Sequence, residues 1–100
     1  MSNQKIKDYL VEEIKRTEKR CCKNIDSIKL LEQTLELHDM SLKNKIEKNY
    51  PGDIVEQQVK KVNHYEEQIE ILKKKVDIDI SQLASKKANL HWIDGDTDYE

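Results

Sequence analysis

In the first half of the chain Ile14, Cys21, Ile28, Leu35 and Leu42 recur at every seventh position. Leu10, Thr17, Asn24, Leu31, His38 and Lys45 fill the companion positions three or four residues away. This spacing predicts one helix with an inward seam that polar residues interrupt. Ile25 and Ile46 lie beside the seam and widen it. In the second half Val55, Val62, Ile69, Val76, Leu83 and Leu90 repeat at the same spacing without a miss. Tyr65, Leu72 and Ile93 are the apolar companions there, and Gln58, Asp79 and Lys86 the polar ones.

Helix breakers divide the chain between these two runs. Pro51 is the one proline, and Gly52 and Gly95 are the only glycines. Proline drives Tyr50 out of the helical region, and Gly52 can take a positive φ. Asp53 followed by Glu56 reads as an N-cap with its reciprocal partner. The expected organisation is a helical domain over 1–93, with helix one at about 3–49, a turn at 50–53 and helix two at about 54–92. The acidic stretch 94–100 is expected to be a disordered tail. The stretch from Val76 to Ser81 alternates like a strand and is rich in β-branched residues. It offers an alternative in which helix two breaks near 77–81, Asp79 caps a new helix, and 81–92 form a third.

The two runs are mutually consistent. If the chain folds back at Pro51-Gly52, facing residues have numbers that sum to about 104, as in an antiparallel heptad pairing. Leu42 then faces Val62, Leu35 faces Ile69, Ile28 faces Val76, Cys21 faces Leu83 and Ile14 faces Leu90. The fold class is therefore all-α: a long, coiled-coil-like antiparallel two-helix hairpin. Such a hairpin covers only one face of each helix. Leu30 and Leu37 lie off the seam on helix one, and Ile71 and Ile78 on helix two. A second apolar stripe of this kind points to an oligomer or partner interface, with a homodimer pairing into a four-helix bundle as the expected assembly.

Composition agrees with paired helices. The chain is 36% apolar and 38% charged, too little apolar bulk for a compact globule but enough for two buried stripes. The charges are sorted along the sequence. Glu32, Glu36 and Asp39 fall opposite Glu66, Glu67 and Glu70. Lys15, Arg16, Lys19, Arg20 and Lys23 fall opposite Lys86 and Lys87 and form a basic patch. No apolar run is long enough for a signal sequence or a membrane span, so no membrane role is expected. The two cysteines, Cys21 and Cys22, are neighbours that point about 100° apart on a helix and cannot form an ordinary structural disulfide with each other. A reduced, cytoplasmic setting follows.

Candidate chemistry is sparse. His38, His64 and His91 stand in neither a Glu-x-x-His nor a His-Glu-x-x-His arrangement, and His38 reads as a hydrogen-bonded seam residue. The Asp94-x-Asp96-x-Asp98 spacing opens like a calcium loop but has Tyr99 where that loop needs glycine. Cys22 lies among Lys19, Arg20 and Lys23, which favour its thiolate, yet no histidine base is near. No glycine loop exists to cradle phosphate. The expectation is no catalysis, no metal and no cofactor.

What remains is protein recognition by a homo-oligomeric adaptor, regulator or inhibitor, the kind of small accessory protein bacteria and phages carry. An alternative is lysine-mediated, sequence-independent nucleic-acid binding through the basic patch with Trp92 and Tyr9. The length, the hairpin and Tyr50-Pro51-Gly52 at its turn also resemble the small secreted WXG-type hairpins, with tyrosine in place of the tryptophan and a higher charge content. That resemblance implies a small exported effector or its helical chaperone.

Overall fold

The structure is a computed structural model describing the backbone of residues 3–98 and the side chains of residues 3–93. It contains two helices, α1 (Asn3–Glu47) and α2 (Gly52–Asp98). They run antiparallel, and the chain is all-α among the described residues. Two compact units divide it: a terminal unit of Met1–Asn24 with Lys75–Glu100, and a turn unit of Ile25–Lys74. Each is an antiparallel pair of helical segments.

Burial follows the heptads. In the terminal unit Ile14, Cys21 and Val76 are buried, and Leu83 and Leu90 are half-buried. In the turn unit Ile28, Val62 and Ile69 are buried, and Leu35 and Leu42 half-buried. A lone helix of this composition would be marginal in water; burying its stripe against a partner helix stabilises it.

The turn is built differently from the expectation. Helix α1 stops at Glu47, because Asn49 adopts the left-handed conformation with φ of 56°. The Asn49 N–H donates to the Ile46 carbonyl at 3.1 Å, and the Tyr50 N–H to the Lys45 carbonyl at 3.0 Å. This double closure is a Schellman cap, with asparagine in the place glycine usually takes. Gly52 has no positive φ and instead opens α2. The Pro51 carbonyl accepts from the N–H groups of Ile54 at 3.0 Å and Val55 at 3.2 Å, so Pro51 holds the N-cap position. Asp53 therefore lies inside the first turn, where its charge complements the helix dipole, and is not the cap.

Helix α2 is continuous through 77–81, so the third helix does not form. Val76 and Asp79 both face the seam, three residues apart, as a helix requires and a strand does not. The Asp79 carboxylate, which would have capped a new helix, is held by Arg20. Helix α2 extends to Asp98, beyond the boundary expected near 92. The expected acidic tail, 94–100, has its side chains outside the described residues.

Two outcomes test this account. Ile69→Asp, at a position only 6% exposed, should destabilise the fold by more than about 3 kcal/mol, measured by urea titration of the circular dichroism signal. Retention of near-wild-type stability would mean the stripe does not hold the helices together. Asn49→Gly should stabilise by up to about 1 kcal/mol, and Asn49→Val destabilise by about 1–2 kcal/mol, because only glycine enters the left-handed region without strain. Equal stability for both variants would remove Asn49 as the determinant of the turn.

Candidate functional site

Three polar side chains lie almost wholly inside the paired helices: Thr17, Gln58 and Asp79, which are 2%, 3% and 4% exposed. Burying such groups is unfavourable unless each finds a partner. In the terminal unit Arg20 meets Asp79 side-on. Its Nε donates to both carboxylate oxygens at 3.2 Å, and one terminal nitrogen donates to Oδ1 at 2.7 Å. That fork is a charge-assisted, bidentate geometry that fixes both side chains. The Arg20 hydrogen bonds hold the Asp79 carboxyl below its ordinary value of 3.8; burial opposes this, and the charges of Arg20 and Lys86 reinforce it. The same hydrogen bonds push the Arg20 guanidinium up. Near this pair the Thr17 hydroxyl donates to the Glu13 carbonyl at 2.8 Å and accepts from the Lys86 ammonium at 3.2 Å. The ammonium also lies 3.6 Å from a Glu13 carboxylate oxygen.

In the turn unit Gln58 is the hub. Its amide nitrogen donates to the His38 carbonyl at 3.1 Å and lies 3.0 Å from His38 Nδ1, while its oxygen accepts from Lys45 at 2.9 Å. The His38 ring stacks on Tyr65 with centroids 5.0 Å apart. His38 is thus fastened to the seam on two sides. Among the described residues no buried side-chain nitrogen or oxygen lacks a partner.

Four cations of the expected basic patch have partners. Arg20 is held by Asp79, Arg16 by Glu13 at 3.2 Å, Lys86 by Glu13 and Thr17, and Lys87 by Glu18 at 3.7 Å. Lys15, Lys19 and Lys23 are exposed and form no ion pair among the described residues. Tyr9 and Trp92 are also exposed. Cys21 is buried, Cys22 is exposed, and both are free thiols. Among the described residues no group of three or more histidine, cysteine, aspartate or glutamate side chains is placed to hold a metal. None of the described helices is long and apolar enough to cross a membrane.

The off-seam apolar residues are exposed. In the turn unit Leu30 is 65% exposed, Leu37 68% and Ile71 40%. An antiparallel pair sets like heptad positions side by side, and these three share one heptad position, so they come to one side of the unit. Met40, 62% exposed, is one turn from Leu37. Ile78, in the terminal unit, is exposed and lines a small groove of about 170 Å³ with Arg20 and Asp79.

The opposite side of the turn unit carries acids that the sequence set opposite one another, Glu32, Glu66 and Glu70, around a groove that the sequence did not reveal. A groove of about 370 Å³ runs there between the helices, lined by Leu35 and Ile69, with Glu32, Glu66, Glu70 and Lys73 around them. Of its carboxylates only Glu70 has an ion-pair partner among the described residues, Lys74, at 3.9 Å and on the surface. Glu36 and Asp39, about one and two turns beyond Glu32 on α1, also have no ion-pair partner among the described residues. The signal lay in the heptad position that Glu32, Glu66 and Lys73 share, flanking the seam on the side away from Leu30.

Compared with protein-family models, curated proteins and solved structures, the chain matches none.

Acid titration of the Asp79→Asn variant tests the buried ion pair. A carboxyl whose folded value is depressed lets the unfolded chain take up protons first, so its stabilisation is full above 3.8 and disappears as pH falls through the lower folded value. Asp79→Asn should melt below the wild type at about pH 7, and the gap should narrow as the pH drops below 3.8 and close below the depressed folded value. A gap of constant size across that range would show that Asp79 acts by shape and not by charge.

Proposed function

We propose that this chain is a non-enzymatic helical interaction module that works as a homo-oligomer in a cytoplasmic setting, presenting packed helix faces to other chains. The observation that carries this reading is the exposed apolar side of the turn unit, with Leu30, Leu37 and Ile71 on it. Leaving large aliphatic side chains in water forgoes about 25 cal/mol for each Å² of apolar surface, and a second helical pair would recover it. A two-fold pairing of this face would build a four-helix bundle in which each residue contributes twice. The engagement of Arg16, Arg20, Lys86 and Lys87 by acidic and hydroxyl partners supports protein over nucleic acid as the ligand, since it reduces the cation density that phosphates would meet.

Leu37→Glu combined with Ile71→Glu adds four charges to a symmetric dimer and leaves the seam intact. Size exclusion with light scattering should show the mass of the wild type fall by half, with helicity retained and the melting temperature reduced. A wild type already monomeric at high concentration rules out self-association, and the apolar face is then a surface for a different protein.

A further inference from the structure

We propose that the groove on the other side of the turn unit, floored by Leu35 and Ile69, receives a lysine-bearing amphipathic helix of a partner protein. This rests on the reading of the chain as an interaction module and adds a second surface with its own chemistry.

The floor is aliphatic, and its volume of about 370 Å³ is room for a few large side chains. The rim is anionic on balance: Glu32, Glu66 and Glu70 stand with one lining ammonium, Lys73, and Glu70 also has Lys74 at 3.9 Å on the surface. Glu32 and Glu66 have no ion-pair partner among the described residues, in contrast to the acids Glu13, Glu18 and Asp79 of the terminal unit, each of which holds a cation. Carboxylates gathered beside an apolar floor repel one another, and a cation from outside relieves that repulsion. A neutral apolar ligand would leave them uncompensated, and an acidic one would worsen the clash.

The length of the site follows from the heptad. Ile25 and Ile46 hold the same flanking position on α1 as Glu32, and both are exposed, at 36% and 55%. They lie roughly 30 Å apart along the helix at 1.5 Å per residue. The row between them is apolar at its ends and carries Glu32 and Asp39 in its middle, beside a row of Lys29, Glu36 and Lys43, and Leu35 and Ile69 floor its centre. A helix of about 20 residues has that length, and one with leucines on a stripe and lysines beside it matches the order of chemistry.

The test uses the full chain and two fluorescein-labelled designed peptides of about 20 residues, each with a leucine stripe, one flanked by lysines and the other by glutamates. Fluorescence anisotropy should show the lysine peptide binding at least about tenfold more tightly than the glutamate peptide, with affinity falling as salt rises. Glu32→Gln with Glu66→Gln should weaken the lysine peptide by about tenfold. Asp26→Asn with Glu67→Gln removes the same charge outside the groove and should leave binding unchanged. Equal weakening by both pairs reduces the effect to net charge and overturns the proposal, as does equal binding of the two peptides. A wild type that ignores the lysine peptide overturns it too. If that protein still self-associates through Leu37 and Ile71, the module reading stands without the groove; if it is also monomeric, self-association fails too and only the apolar face of Leu30, Leu37 and Ile71 still supports a partner.

Discussion

Each helix in this protein has one neighbour, and every group on its inward stripe must therefore be satisfied by that neighbour or by its own helix. A globular core surrounds a buried side chain with several elements; a pair offers one facing stripe. The aliphatic heptad residues meet this constraint by packing. Thr17, Gln58 and Asp79 meet it through hydrogen bonds to named partners: the Glu13 carbonyl and Lys86, His38 and Lys45, and Arg20. Polar groups in a seam stabilise less than leucine would, but they penalise sliding. A shift of one heptad would leave the Asp79 carboxylate buried without its guanidinium.

The same constraint separates the two units chemically. In the terminal unit Arg20 and Lys86 reach back to seam groups, Asp79 and Thr17, while Lys87 pairs with Glu18 at the surface. In the turn unit the cation in the seam, Lys45, serves an amide, and the acids nearby are left facing water. Uncompensated carboxylate and the exposed row of Leu30, Leu37 and Ile71 thus occur on the same segment of chain, on different sides of it.

The helical class and the antiparallel pairing were legible because a seven-residue period survives every polar interruption and the two runs share one register. The turn was legible in place but not in detail. Asn49 and Gly52 both tolerate a positive φ, and which one takes it depends on where the last carbonyls of α1 close. The strand-like alternation of Val76–Ile80 misled because local preference was weighed without its partner. Once Arg20 holds Asp79, that aspartate has nothing left with which to cap a new helix. Arg20 and Lys86 read as surface charge because a sequence lists cations without showing how far their side chains reach. The facing acids Glu32, Glu66 and Glu70 were legible, but the groove between them was not, because its floor, Leu35 and Ile69, had already been assigned to the seam, and a half-buried seam residue such as Leu35 also has a solvent-facing side.

The adjacent cysteines have a practical meaning. One peptide unit separates Cys21, which faces the seam and is 6% exposed, from Cys22, which faces water. Two thiols with nearly the same neighbours in sequence thereby acquire opposite accessibility. A thiol reagent can reach Cys22 on the intact molecule, whereas it reaches Cys21 only when the helices part beside it. The pair is an internal clock and its own reference: the ratio of the two modification rates reads the frequency of opening in the terminal unit, without any label being engineered into the chain.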